Sequence, residues 1–168
     1  VTGVPEPTAA RLVRRLTERG DTVAVAESLT GGLVVAALVS VPGASAVLRG
    51  GVVAYMTDLK ATLLDVDPGL LVREGAVHPD VAAAMAHGVA ERLGATYGVA
   101  TTGVAGPDPQ DGRPVGEVWI AVSGPGLAWE RSETVVGEHL DPALGREGIR
   151  AATVAAALDL LLDVVDGD

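Results

Sequence analysis

The segment Thr22-Val23-Ala24-Val25-Ala26-Glu27-Ser28-Leu29-Thr30-Gly31-Gly32 begins as a short apolar run and ends in a hydroxyl- and glycine-rich turn. The Val and Ala residues predict a buried strand, and the Ala/Val/Leu stretch that follows, to about Val39, predicts a helix. Ser28 therefore belongs to a strand-to-helix turn. A strand feeding a helix in this way, repeated along a chain, is the signature of an α/β domain.

Outward from this segment the alternation continues. Upstream, Pro7 and Thr8 open an amphipathic helix with Leu12, Val13 and Leu16 on one face, among Arg11, Arg14, Arg15 and Arg19, and Gly20 stops it. Downstream, Val41-Pro42-Gly43-Ala44-Ser45 breaks the pattern and Gly50 to Tyr55 predicts a second strand. Thr57 is placed to cap a short helix through Leu64 that carries Asp58 and Lys60. Pro68-Gly69 reads as a turn. Pro79 to Leu93 reads as a helix with Val81, Met85, Val89 and Leu93 on one face, ended by Gly94, and Tyr97 to Thr102 as a third strand.

Residues 103–114 hold too much Gly, Pro and Asp for anything but a loop, and a long loop in a compact domain is commonly functional or disordered. Val115 to Val122 and Leu127 to Val136 flank Ser123-Gly124-Pro125-Gly126 as an antiparallel hairpin. Asp141 to about Val165 reads as a terminal helix in which Arg146 and Arg150 share a face. The whole pattern predicts one α/β domain over residues 1–168, with helices on both faces of a mixed sheet.

Composition narrows the function. The 12 Lys and Arg against 22 Asp and Glu leave a formal net charge of −10, the wrong sign for neutralising the phosphates of a duplex. No direct nucleic-acid partner is expected, whereas a small anionic ligand held by a few local donors is compatible. The absence of cysteine excludes a disulfide framework, thiolate catalysis and cysteine metal sites. No apolar run approaches the roughly 20 residues of a membrane span, and Val1 to Arg15 has no signal-peptide pattern, so a cytoplasmic protein without a membrane partner is the expectation. Aromatic residues total 2% and Phe is absent, which predicts a Val, Leu and Ala core without base-stacking platforms. His78, His87 and His139 have no zinc-ligand spacing, and Asp108 and Asp111 do not follow the calcium-loop pattern, so neither a metal nor a cofactor is expected. His78, directly before Pro79, reads as a helix-start residue and His87 as helix surface.

Four constellations carry possible chemistry. Ser28 would sit beside the free N–H groups of a helix start, as suits an acyl-transfer nucleophile with an oxyanion hole; alternatively Ser28 or Thr30 caps the helix and Gly31 and Gly32 permit a tight turn. Lys60 can accept a serine proton if the fold desolvates it beside Ser28, and the Tyr55 phenol can bond either; alternatively Lys60 is a surface residue and Tyr55 a core one. Thr102-Gly103-Val104-Ala105-Gly106-Pro107 can bring backbone N–H groups to a ligand or form a plain turn. Arg146 and Arg150 can meet a phosphate, or serve as a solvated or ion-paired face.

In order along the chain, Ala26-Glu27-Ser28-Leu29-Thr30-Gly31-Gly32, Pro42-Gly43-Ala44-Ser45, Gly50-Gly51-Val52-Val53-Ala54-Tyr55, Lys60, Gly75-Ala76-Val77, Thr102-Gly103-Val104-Ala105-Gly106-Pro107 and Pro114-Val115-Gly116 resemble the CinA carboxy-terminal domain family. The resemblance implies a three-layer α/β/α sandwich, found attached to a larger amino-terminal domain or alone. Standalone members are nicotinamide-nucleotide amidohydrolases, which convert nicotinamide mononucleotide to nicotinate mononucleotide and ammonia in pyridine nucleotide recycling. By motif, Ser28 matches the family's nucleophile, Lys60 its general base and Tyr55 its supporting hydroxyl. Thr30, Gly31, Gly32, Thr102 and Gly103 then line the substrate site, and Arg146 is carried over as a phosphate contact. Leu29 stands where the family commonly has cysteine, and His78 where it commonly has serine. The resemblance further implies a homodimer acting on a small nucleotide. The competing expectation is a non-hydrolytic nucleotide-binding or regulatory module linked to competence or recombination proteins, which has no need of a nucleophile with a base.

Overall fold

A computed structural model describes residues 6–125 and 135–167. Five strands form one mixed sheet in the order β2-β1-β3-β4-β5: β1 (Val23–Glu27), β2 (Leu48–Val53), β3 (Tyr97–Gly103), β4 (Glu117–Ser123) and β5 (Val135–His139). β1 runs parallel to both β2 and β3, while β4 is antiparallel to β3 and to β5. Among the described residues the α-helices are α1 (Thr8–Arg19), α2 (Leu33–Val39), α3 (Thr57–Leu64), α4 (Pro68–Glu74), α5 (Pro79–Leu93) and α6 (Gly145–Gly167).

The alternation of strand side chains builds the layers. Val23 and Val25 of β1, Tyr97 and Val99 of β3, and Ile120 and Val122 of β4 pack with apolar residues of α1, α2 and α6. Ala24, Ala26, Ala100 and Ala121 face the other way, into a core shared with α3 and α5. That second face uses small residues because α5 lies close to the sheet. A Cβ at Gly98 would overlap the Ala86 carbonyl oxygen, and one at Gly88 would overlap the Leu64 carbonyl oxygen at the end of α3. Helices on both faces of the mixed sheet give the expected three layers, and β1 is buried at every position because both its faces are covered. None of the described helices is long and apolar enough to cross a membrane.

Several local readings are corrected. Pro68-Gly69 opens α4 instead of a turn: the Asp67 side chain accepts from the Gly69 and Leu70 amides, and Pro68 takes the first helical position. Thr57 is the first residue of α3 and caps nothing; extended Met56 precedes it. The terminal helix starts late: Asp141 caps a separate 3-10 turn over Pro142–Leu144, and α6 begins only at Gly145, whose φ of +64° turns the chain between the two. Strand β2 stops at Val53, so Tyr55 lies beyond it. Of the expected hairpin, Gly126 of the turn and residues 127–134 lie outside the described residues.

The connections decide where a ligand can go. α2 leads from β1 outward to β2 on one face, whereas α3, α4 and α5 lead from β2 back across β1 to β3 on the other. In open α/β sheets the crevice lies outside the carboxyl ends of the strands, where neighbouring strands are connected in opposite directions. Here that place is between Glu27 and Gly103, the last residues of β1 and β3.

Candidate active site

The register of β1 continues one step past its end, where the Ser28 amide donates to the Thr101 carbonyl at 3.0 Å. The period of two then sends neighbouring side chains to opposite faces. Glu27 turns toward α2 and Ser28 toward α3. Ala54, whose amide donates to the Glu27 carbonyl at 2.9 Å, lies alongside on the β2 side.

Lys60 reaches this point from α3. Its Nζ donates to Ser28 Oγ at 3.1 Å and to the Ala54 carbonyl at 2.8 Å. Lys60 is 1% exposed, so the reading of a surface lysine is set aside. Burial pulls its ammonium pKa from the usual 10.5 down to about 8, against the opposing field of the Asp111 carboxylate. A neutral lysine amine has two N–H bonds and one lone pair. With one N–H held by the Ala54 carbonyl, its lone pair can accept the Ser28 proton.

The start of α2 is not the open anion site that the sequence suggests. The buried Glu27 carboxylate accepts from the Gly32, Val34 and Val35 amides at 3.0, 3.1 and 3.0 Å. It occupies the positive end of the helix from inside the protein. Glu27 was not among the expected site residues, although an acidic residue just ahead of a glycine-led helix start was a usable signal. Thr30 is also turned inward, its Oγ1 2.7 Å from Thr101 Oγ1. Neither Thr30, Gly31 nor Gly32 lines the pocket; Gly31 and Gly32 take positive φ values of 58° and 100° and shape the turn.

The unpaired donors lie inside the turn itself. The Gly31 amide closes it onto the Ser28 carbonyl at 3.1 Å, and no described residue accepts from the Leu29 or Thr30 amides. On the opposite wall the Val104 amide bonds to the Glu117 carbonyl of β4 at 2.9 Å. Because antiparallel N–H groups alternate in direction, the Gly103 amide faces the β1 side and Ser28.

These groups border a cavity of about 260 Å³ lined by Ser28, Leu29, Tyr55, Thr102, Gly103 and Arg146, among others. Met56, Thr57, Ala76, Val77, Asp108 and Gln110 also line it. None of those was expected as a site residue, though Ala76 and Val77 lie in the quoted Gly75-Ala76-Val77 motif. Thr102 holds that segment by donating from Oγ1 to the Ala76 carbonyl at 2.7 Å.

Tyr55 is 55% exposed and contacts neither Ser28 nor Lys60 by hydrogen bond. Its phenol instead accepts from Arg146 Nη2 at 2.9 Å, and Arg146 Nη1 donates to the Gly106 carbonyl at 2.6 Å. Arg146 thus spans the mouth of the cavity from the first turn of α6. Arg150, one turn later, points away to the carbonyls of Leu29 and Thr30, at 2.9 and 3.1 Å.

Comparison with known proteins agrees with this architecture. The model of the CinA C-terminal domain matches residues 5–165. A CinA-like protein of Frankia casuarinae is 52% identical over 152 residues, which cover 90% of this chain and 34% of that protein. A CinA-like protein of Gloeobacter violaceus is 48% identical over 91% of this chain and 34% of its own length. The chain therefore spans about a third of the length of these curated relatives. Among solved structures, a competence-damaged protein (CinA) superfamily protein from Escherichia coli superposes with a TM-score of 0.86 at 32% identity, covering 94% of this chain and 88% of that one. The competence/damage inducible protein CihA from Agrobacterium tumefaciens gives 0.81 at 35% identity, covering 97% and 99%.

Proposed function

The chain belongs to the CinA C-terminal domain family, and from that premise we propose that it hydrolyses the carboxamide of nicotinamide mononucleotide to nicotinate mononucleotide and ammonia. The observation that carries this reading is the buried Lys60 amine held against Ser28 Oγ. A module that only binds nucleotides has no use for a desolvated lysine beside a hydroxyl. An acyl-transfer enzyme needs that pair.

In the proposed reaction Ser28 Oγ attacks the carboxamide carbon as neutral Lys60 takes its proton. The carbonyl oxygen becomes an oxyanion, for which the amides of the lining residues Leu29 and Gly103 are the available donors. Protonated Lys60 then passes its proton to the departing nitrogen, ammonia leaves, and water releases the acid from the ester. Arg146, exposed at the cavity mouth beside Tyr55, is the cationic lining residue and suits the phosphate of the nucleotide.

The test is release of ammonia and nicotinate mononucleotide from the mononucleotide, by wild type and by Ser28→Ala. Turnover by wild type and a loss of at least about 10³-fold in the variant is expected. Equal turnover in both overturns Ser28 as nucleophile. A folded wild type that binds the nucleotide in calorimetry without hydrolysing it overturns the enzyme reading in favour of a binding module.

A further inference from the structure

The turn that carries Ser28 is held from outside as much as from within. Its start is tied to β3 by the Ser28 amide and the Thr30 hydroxyl, and its exit is tied to Glu27 through the α2 amides. Between these anchors lie the Leu29 and Thr30 carbonyls. Both accept from one side chain, Arg150 of α6, through Nε at 2.9 Å and Nη2 at 3.1 Å, and the Thr30 carbonyl also accepts from the Leu33 amide at 3.2 Å. The half-buried guanidinium has no carboxylate partner within ion-pair distance among the described residues.

A planar peptide carries its C=O and the following N–H in opposite directions. By holding the Leu29 carbonyl, Arg150 sets the direction of the Thr30 N–H, which stays buried inside the turn. By holding the Thr30 carbonyl together with the Leu33 amide, it sets the Gly31 N–H, whose bond to the Ser28 carbonyl fixes the opposed N–H of Leu29, a lining residue of the cavity. A rigid fork reaching two successive carbonyls is a geometry that lysine cannot reproduce.

We propose that Arg150 is a positioning residue for Ser28 chemistry: it holds the turn so that the free Leu29 amide is already oriented for the oxyanion. This inference rests on Ser28 acting as the nucleophile but on no particular substrate. It assigns Arg150 to the protein's own backbone instead of to a phosphate.

The test uses an alkyl fluorophosphonate as a substrate-independent probe. Ser28 Oγ forms a bond to phosphorus, fluoride leaves, and Lys60 takes the hydroxyl proton; intact mass reports the rate. Arg150→Gln is expected to label about 10- to 100-fold more slowly than wild type, in line with losing oriented oxyanion donors. Arg150→Lys, able to hold one carbonyl, should fall between them. The pH midpoint of labelling should not move, because the base is untouched. A folded Arg150→Lys or Arg150→Gln that labels at the wild-type rate while melting earlier shows a merely structural arginine and overturns the proposal. A shifted pH midpoint shows an electrostatic effect on Lys60 and also overturns it. Failure of wild type itself to label at Ser28 overturns the nucleophile assignment on which the inference rests.

Discussion

Lys60 Nζ lies 3.1 Å from Ser28 Oγ, although the two residues are 32 positions apart and arrive from a strand end and a separate helix. The lysine is fully enclosed and its remaining hydrogen bond goes to a neutral carbonyl, so no anion in direct contact stabilises its charge. That combination yields a base usable near neutral pH.

Activity should therefore rise with pH along a single limb whose midpoint is near 8, since only the neutral amine accepts the Ser28 proton. At pH 7 about one molecule in ten has the base ready. A pH–rate profile of kcat/KM checks this, and in Lys60→Met the limb should vanish together with most of the rate. A residual rate that keeps the same limb would remove Lys60 from the proton transfer.

Asp111 holds the Lys60 pKa up against desolvation. Asp111→Asn should move the activity limb to lower pH. Asp111 is exposed, so added salt should shift wild type in the same direction by screening. A limb that moves upward in the variant contradicts the sign of this interaction.

The same lysine makes stability depend on pH. Its folded value, about 8, lies below the usual 10.5, so between these values the unfolded chain binds a proton that the folded one does not. Stability is thus depressed below the folded value and recovers as pH rises through the window, by about 1.4 kcal/mol per unit and about 3 kcal/mol in all. Lys60→Met lacks this recovery. Denaturant unfolding of both proteins from pH 8 to 10.5 should show their difference shifting toward wild type by that amount. Parallel curves would show that the buried amine is not the titrating group.

Tyr55 accepts from Arg146 and bonds neither Ser28 nor Lys60. Tyr55→Phe is accordingly expected to raise KM for the mononucleotide several-fold, through a less constrained Arg146, and to change kcat little. Steady-state kinetics with the mononucleotide and its riboside separates the cases, because the riboside lacks the phosphate and should not sense the substitution. A large loss of kcat with an unchanged KM would return the phenol to the proton-transfer step.

Much of the architecture was readable from periodicity. The apolar run at Val23 and the one-sided spacing of Val81, Met85 and Val89 each reflect a local requirement to bury one face, and each produced its element. Helix α4 was misread because Pro-Gly suits a turn and a helix start alike, and the Asp67 side chain that caps the helix decides between them. Ser28 and Lys60 were legible as candidates of the right chemical type. Tyr55 was legible as a residue of the site, but its partner was not, because the two residues after the end of β2 carry the phenol toward α6.

By itself the sequence determined which segments must bury apolar faces, and that a hydroxyl and several glycines follow the first strand. Only the tertiary structure decided that Lys60 loses its water beside Ser28, that Glu27 fills the α2 helix end, and that Arg150, 121 residues beyond Leu29, grips the turn that carries Ser28. The physical reason is that a side chain's face is set within one or two turns of its own element. Desolvation, and the choice of hydrogen-bond partner, are set by whichever elements the strand order of the mixed sheet brings to the same strand ends.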